Sequence, residues 1–256
     1  KRLRRVTEPG EHVLKAVEVI LREVANLKRI GEEFSKQESG RLSIATTHTQ
    51  ARYVLPDPVA LLRRRFPGVN VALHQGTPEQ VAQMVLEERA DIGLATESLA
   101  DFDELITLPC YTWRHVVVMP QDHPLAAVER PTLAQLAAEP LISYHPAFTG
   151  RGRIDAAFER AKLSPRIVLE AIDADVIKTY VRLGMGVGIV AEMAMRDETH
   201  AMGLVSRPAG HLFGDNVSRV AFRRGAYFAE LLSERLTRAL ISKAMSGNPV
   251  DDDDTL

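Results

Sequence analysis

The stretch RLSIATTHTQARYVLP, from Arg41 to Pro56, carries the strongest fold signal in this chain of 256 residues. Its first part, through Ile44, alternates apolar and polar residues as a half-buried strand does, and helical spacing resumes at Ala51. Between the two parts lies the segment TTHTQ, five polar residues without a lysine or arginine. This junction predicts an α/β fold with a polar site where the strand ends.

Strand-like and helix-like segments alternate along the chain beyond this stretch. Predicted strands cover residues 41–46, 69–75, 91–96, 141–143, 166–172 and 187–190, with one more in SRVAFRR. Predicted helices cover residues 49–66, 78–88, 132–138, 150–163, 173–183 and 226–244. Two apolar segments, 105–111 and 115–119, flank Trp113. The alternation predicts mostly parallel sheets with right-handed crossovers.

The segment before the first strand has the residue spacing of a coiled coil. Its apolar residues recur alternately four and three positions apart from Val13 to Phe34, with Gly31 replacing one of them. We therefore predict a linker helix that pairs with a second copy. An ordinary amphipathic helix lying on a domain is the alternative. The chain starts without methionine, which we interpret as a fragment or processed product of a longer protein.

The composition argues against several classes of protein. A net charge of −2 is not that of a polyanion-binding chain, and no apolar run is long enough to span a membrane. The single cysteine, Cys110, has no internal disulfide partner, so we expect a reducing cytoplasm. The histidines lack paired metal-ligand spacing, and we expect neither a metal nor a cofactor. The terminal DDDDTL predicts a solvated, disordered tail.

Three predicted strand or helix ends carry hydroxyl groups. They are the TTHTQ segment, the end of the third strand at Thr96, and the start of a helix at Thr149. Free amides and the helix dipole favour an anion at such ends, and threonine hydroxyls donate further hydrogen bonds. Each hydroxyl alone has the simpler interpretation of a helix cap. Because the topology lets all three ends face one cleft, together they predict a small oxyanion held by neutral donors.

Several segments resemble the CysB subfamily of LysR-type transcription regulators, both in sequence and in order. The most selective are TTHTQAR and DADVIKTY, and others include HQGTPEQVA, ADIGLATE, LPCYTW and FTGR. The likeness runs from about Arg5 to about Arg224 and is poor over residues 196–216. It implies a type II periplasmic-binding-protein-like α/β fold. In that fold, two Rossmann-like α/β subdomains are joined by two crossover segments, and a long linker helix precedes them.

The resemblance also implies how the chain is divided. Residues 1–10 are a remnant of a winged helix-turn-helix, and residues 11–39 are the linker or dimerisation helix. Residues 40–113 and 218–240 form subdomain I, and residues 114–217 form subdomain II. The resemblance does not extend to residues 246–256, which we predict to be a disordered acidic tail from their charge alone.

The function implied by the resemblance is that of a cytoplasmic regulator of sulfur assimilation and cysteine biosynthesis. Such a regulator is not an enzyme, and it binds acetylserine, sulfate or thiosulfate between its subdomains. We expect a homodimer or homotetramer without membrane contact. We also expect it to bind promoter DNA through a winged helix-turn-helix that is mostly absent from this chain. The resemblance assigns anion binding to the residues of the three polar ends, Thr47, Thr49, Gln50, Thr96 and Thr149.

Two other functions are compatible with the predicted fold. A sulfate-binding transport receptor would share it, although the heptad-spaced helix argues against export. An enzyme acting through His48 or His74 is the other alternative, although no positioned pair of base and nucleophile is visible. Oligomeric state separates the first alternative from a regulator, and turnover of acetylserine would indicate the second.

Overall fold

A computed structural model describes residues 39–195 and 202–224, together with the isolated positions Thr7, Gly10, Glu11 and Val17. The predicted wing remnant, linker helix, final helix and acidic tail lie outside the two described ranges.

The described chain contains strands and helices in alternation. The strands are β1 (Ser39–Thr46), β2 (Gly68–Gln75), β3 (Ile92–Thr96), β4 (Leu105–Pro120), β5 (Pro140–Tyr144), β6 (Arg166–Ala171), β7 (Val187–Ala191), β8 (Leu204–Pro208) and β9 (Asp215–Arg223). The α-helices are α1 (His48–Tyr53), α2 (Pro56–Arg65), α3 (Pro78–Leu86), α4 (Leu133–Ala137), α5 (Thr149–Arg160), α6 (Ala174–Arg182) and α7 (Gly210–Phe213). Short 3-10 helices cover Glu97–Asp101, Pro124–Ala127 and Glu192–Ala194.

The strands form one mixed path with the order β2-β1-β3-β9-β4-β7-β5-β6, and β8 pairs with β4. Within each half the neighbours run parallel, as β1 does with β2 and β3, and as β5 does with β6 and β7. The pairs formed by β4, β8 and β9 are antiparallel. The prediction of mostly parallel sheets is therefore wrong for these three strands. The physical reason is that the chain enters the second half along β4 and returns along β9.

Helices cover both faces of each half of the sheet. In the first half, one apolar core includes Leu62 of α2 and another includes Val81 of α3. In the second half, one core includes Phe158 of α5 and another includes Ile177 of α6. The two halves are Rossmann-like α/β subdomains that β4 and β9 connect, so the predicted fold class is confirmed. The predicted boundaries at 113/114 and 217/218 fall inside these strands, next to the register pair Trp113–Asn216.

Two predicted elements have different limits in the structure. The apolar segments 105–111 and 115–119 form a single strand, β4, which has a register shift between Pro109 and Tyr111. The predicted helix 49–66 is divided into α1 and α2. Pro56 has no amide hydrogen to donate to the preceding turn, so it begins a new helix instead of continuing the first.

Candidate ligand-binding site

A small cavity lies between the two subdomains, at the carboxyl ends of β1, β3, β5 and β7. Its volume is about 40 Å³. All five of the predicted binding residues line it, and no charged side chain does. The lining residues are Thr47, Thr49, Gln50, Thr96, Trp113, Tyr144, Phe148, Thr149, Gly150, Ala191 and Met193. The folded chain therefore brings together all three polar ends that the sequence singled out.

Hydroxyl groups connect the two subdomains at one wall of the cavity. The Oγ1 atoms of Thr96, at the end of β3, and Thr149, at the start of α5, are 2.6 Å apart. The Oγ of Ser98 lies 3.1 Å from Thr149 Oγ1 and 3.4 Å from Thr96 Oγ1. Each hydroxyl can both donate and accept, so the group can reorient its hydrogens toward a neighbouring anion. Ser98 was not among the predicted residues.

The threonines at the cavity do not act as helix caps. Thr47 is the N-cap residue of α1 and Thr96 precedes a 3-10 helix, but neither side chain makes a capping hydrogen bond. Thr149 is the first helical residue of α5, whose N-cap is Phe148. The sequence had placed Thr149 before the helix, so that position is corrected by one residue. By contrast, Thr77 and Thr132 form complete capping boxes elsewhere in the chain.

Gln50 connects the first turn of α1 to the crossing strand β9. Its Nε2 donates to the Oγ of Ser218 at 3.0 Å, and its Oε1 accepts from Thr46 Oγ1 at 3.4 Å. The side chain is 3% exposed, so these bonds hold it against the cavity wall. A carboxamide nitrogen has two hydrogens, and the bond to Ser218 uses one of them. Gln50 therefore orients the strand-helix junction and retains one donor.

Tyr144 contributes a neutral phenol to the opposite wall. Burial raises its pKa to about 12, although interactions with the amide of Ala191 and the hydroxyl of Thr49 oppose this rise. The amide of Ala191 donates to the phenol oxygen at 3.1 Å. Tyr144 is therefore uncharged at neutral pH and adds no negative charge that would repel an anion.

Close packing of α5 on β4 fixes where Thr149 lies. A Cβ atom on Gly150 would come within 2.9 Å of His115 Nε2 and 3.2 Å of Trp113 Cη2. His115 is fully buried and makes edge contacts with the rings of Trp113 and Phe213. Burial, with a smaller effect from the charge of Arg153, lowers the pKa of His115 to about 4, so its ring is neutral at pH 7.

An ion pair crosses between the subdomains next to the hydroxyl bridge. Arg153, one turn along α5 from Thr149, donates from Nε and Nη2 to Glu97 Oε1 at 2.9 and 2.5 Å. The other oxygen of Glu97 accepts from the amide of Val217 in β9. Both charged residues lie outside the 40 Å³ cavity and line a wider groove of about 650 Å³ beyond Ser98. The cavity itself keeps its neutral lining.

The described ranges contain neither a metal-binding cluster nor a membrane-spanning helix. Within residues 39–195 and 202–224, no cluster of histidine, cysteine, aspartate and glutamate is arranged to hold a metal ion. Among the helices that can be described, none has the length and apolarity needed to cross a membrane.

Local sequence patterns did not predict four neighbours of the site, Ser98, Trp113, Tyr144 and Ser218. Ser98 follows Thr96 by two positions, and this short polar run was the one available signal. The other three reach the site through pairing of distant strands, because β9 and β4 follow β3 in the sheet and β5 lies beyond β7. The order of strands across a sheet cannot be deduced from the spacing of residues along the chain. His48 and His74 do not line the cavity.

Comparison with known proteins identifies the chain's relatives. Residues 35–236 match the LysR substrate binding domain. The chain is 52% identical over 254 residues to the HTH-type transcriptional regulator CysB of Burkholderia cenocepacia, covering 96% of this chain and 81% of that regulator. It is 49% identical over 227 residues to the regulator SsuR of the same organism, covering 89% and 73%.

A solved structure agrees with these relatives. The crystal structure of the cofactor-binding domain of the Cbl transcriptional regulator superposes with a TM-score of 0.74 at 42% identity. The match covers 79% of this chain and 88% of that one. The resemblance read from TTHTQAR and DADVIKTY is thereby confirmed. The chain belongs to the LysR family of transcriptional regulators, whose substrate-binding domain it contains.

Proposed function

We propose that this chain is the effector-sensing part of a LysR-type regulator of sulfur assimilation and cysteine biosynthesis. Its direct ligand is a compact sulfur oxyanion, sulfate or thiosulfate, held between the two subdomains. The residues that bind it are Thr47, Thr49, Gln50, Thr96 and Thr149, with Ser98 beside them.

One observation carries this proposal. Neutral hydrogen-bonding groups from both subdomains line a single cavity that no charged side chain enters. Hydrogen bonds to a charged group are stronger than those between neutral groups, at roughly 1.5–3 kcal/mol each. Several such bonds can bind an anion without a cationic side chain, and the helix dipole of α5 adds to them.

The size of the cavity favours an inorganic ion over acetylserine. At about 40 Å³ it has room for only a few atoms. Acetylserine has more atoms than sulfate, so it can enter only if the subdomains move apart toward the wider groove. We therefore propose sulfate or thiosulfate as the ligand of the arrangement described above, and acetylserine as a ligand of a more open one.

Ligand binding would act on the placement of the subdomains. An anion that touches Thr47 on one side and Thr149 on the other favours the arrangement in which both are within reach. It can shift the balance between two arrangements only by its difference in affinity for them. Two lobes joined by two strands are suited to hinge motion. Bound sulfate would thus hold the subdomains together and oppose the arrangement that accepts acetylserine.

The relatives favour a regulator over the alternatives. CysB and SsuR are transcriptional regulators, which gives no support to a transport receptor or an enzyme. Cytoplasmic location follows from this role. Contact with promoter DNA is proposed for the regulator as a whole, through its winged helix-turn-helix. Homodimer or homotetramer formation is likewise proposed through the heptad-spaced helix, and light scattering on this chain at micromolar concentration tests it.

Calorimetric titration tests the ligand assignment. Sodium sulfate and thiosulfate should each give saturable heat with one site per chain, whereas sodium chloride at matched ionic strength should give none. Acetylserine titrated into the sulfate-saturated protein should show a lower apparent affinity than in its absence. Circular dichroism checks that the protein is folded. If the folded protein then gives no saturable heat with either oxyanion, the proposal is contradicted.

A further inference from the structure

The short helix α1 carries much of the anion site. Thr47 precedes it and its first turn contains Thr49 and Gln50, yet it has only six residues. Isolated helices of this length are unstable in water, so contacts with the rest of the protein must hold it. The strongest described contacts at its C-terminal end reach across to the other subdomain.

A cluster of polar side chains joins α1 to α6. The hydroxyl of Tyr53, the last residue of α1, donates to Asp175 Oδ1 at 2.5 Å. Lys178 Nζ donates to that same hydroxyl at 2.8 Å and lies 2.9 Å from Asp175 Oδ1. Arg52 Nε lies 2.7 Å from Asp175 Oδ2. The cluster therefore connects both last residues of α1 to two residues of subdomain II.

The bonding capacity of Lys178 is fully used. Its ammonium group has three hydrogens, and it contacts the Tyr53 hydroxyl, the Asp175 carboxylate and the carbonyl of Ala194 at 2.8 to 2.9 Å. The residue is 4% exposed. Burial opposes ionisation of Asp175, but the bonds from Tyr53 and Lys178 and the nearby positive charges outweigh it and lower its pKa.

Stability alone does not explain this arrangement. Removing charges from water costs about as much as their attraction returns, so the pair formed by the buried Lys178 and the partly exposed Asp175 contributes little net stability. The pair does fix geometry, because breaking its contacts leaves the buried ammonium group of Lys178 without a partner. The geometry fixed here is the position of α1 relative to α6.

The cluster also reaches the other side of the cavity. Lys178 binds the carbonyl of Ala194, in the 3-10 helix Glu192–Ala194 that follows β7. Met193 of this 3-10 helix and Ala191 at the end of β7 line the cavity. A single ammonium group thus holds the helix that carries Thr49 and the turn that forms the facing wall.

We propose that Tyr53, Asp175 and Lys178 are positioning residues for the anion site. They touch no ligand themselves. By joining α1 to subdomain II they set the distance between Thr47, Thr49 and Gln50 on one side and Thr149 on the other, and so determine the affinity. This inference rests on the proposed function, because it concerns the same cavity.

Tyr53→Phe is the most selective test. It keeps the ring, which packs in the core of subdomain II and lies 5.1 Å from Lys178 Nζ, and removes only the hydroxyl. Tyr180→Phe is the matched control. It removes a hydroxyl from α6, in the same apolar core, without touching the cluster. Lys178→Met is a second variant that keeps the length of the side chain while removing its charge.

Sulfate affinity is measured by calorimetry for each protein, with hydrogen exchange of the α1 amides as a second readout. Tyr53→Phe should bind sulfate about tenfold more weakly, within the range observed for residues that act on a site without touching its ligand. Its amides at residues 48–53 should exchange faster, while those of α2 should not. Tyr180→Phe should match the wild type within about twofold.

The outcomes distinguish this inference from the proposed function. If the wild type binds no sulfate, the proposed function fails and the inference with it. If the wild type binds sulfate and Thr149→Val binds it weakly, but Tyr53→Phe and Lys178→Met bind as the wild type does, only the inference is overturned. An equal loss of sulfate affinity in Tyr53→Phe and Tyr180→Phe would also overturn it, because that result would indicate a general loosening of the core.

Discussion

The hydroxyl oxygens of Thr96 and Thr149 lie 2.6 Å apart, although 53 positions separate the two residues in the chain. One hydroxyl belongs to subdomain I and the other to subdomain II, so this contact links the two subdomains at the wall of the cavity. A ligand that binds both must hold the two subdomains together. Ligand affinity and the relative placement of the subdomains therefore both depend on these two hydroxyl groups.

Gly150 should be required for the position of Thr149. In Gly150→Ala the added methyl group comes within 2.9 Å of His115 Nε2, so the start of α5 must move away from β4. We expect a loss of about 1–3 kcal/mol in the free energy of unfolding, which is typical of overpacking, together with weaker sulfate binding. Chemical denaturation and calorimetry measure the two effects.

Gly152→Ala is the matched control for Gly150→Ala. Gly152 lies in the same helix, and an added Cβ there meets no atom within 4 Å. Replacing an exposed helical glycine by alanine stabilises a helix by up to about 1 kcal/mol. Equal effects of the two substitutions would show that helix propensity, and not packing against His115, decides the result.

Replacing Thr132 should affect stability, whereas replacing Thr47 should affect sulfate binding. Thr132 caps α4 through its side chain, whereas Thr47 makes no capping bond. Thr132→Val should lose about 1 kcal/mol of stability and keep its sulfate affinity. Thr47→Val should bind sulfate about tenfold more weakly or worse, and it should lose less stability than Thr132→Val does. Thermal denaturation and calorimetry of both variants decide this, and unchanged sulfate affinity in Thr47→Val would mean that the Thr47 hydroxyl does not bind the anion.

Acidification should destabilise the protein through His115. Its pKa in the folded protein is about 4, below the ordinary value of 6.5. The unfolded chain therefore binds a proton in the window between these values while the folded protein does not, so stability falls as the pH drops from 6.5 toward 4. At about 1.4 kcal/mol per pKa unit, the loss is roughly 3 kcal/mol.

The His115 prediction is checked by urea denaturation at several pH values. His115→Leu keeps an apolar side chain in the buried position and removes the titrating group. Its stability should depend less steeply on pH between 6.5 and 4 than that of the wild type. Parallel pH profiles for the two proteins would assign the acid sensitivity to other groups.

Local periodicity predicted most of the first subdomain. The strand expected at 41–46 is β1, and the helix expected at 78–88 is α3, which Thr77 and Pro78 begin. These elements could be predicted because each carries a local signal, either alternating apolar and polar residues or a helix cap. β8 and α7 were missed because they are short and lie where the sequence has few apolar repeats. β4 was divided in two because polar residues around Thr112 interrupt its apolar pattern.

The binding residues could be predicted from the sequence more readily than the residues that hold them in place. Thr47, Thr96 and Thr149 could be found because strand and helix ends are visible in local patterns, and parallel strands bring such ends together. The partners of these ends depend on lateral strand order. Ser218 reaches Gln50 only because β9 inserts between β3 and β4. No spacing rule along the chain predicts that insertion.

Titration of sulfate into the wild type and into Thr149→Val is the most direct test of the central claim, that neutral hydroxyls from both subdomains bind a small anion. Valine keeps the shape of threonine and removes one hydroxyl. The account predicts saturable binding to the wild type and an affinity about ten- to hundredfold lower for the variant, since a hydrogen bond to a charged group contributes roughly 1.5–3 kcal/mol. If Thr149→Val binds sulfate as tightly as the wild type does, no ligand bridges the two subdomains at Thr149, and the account is contradicted.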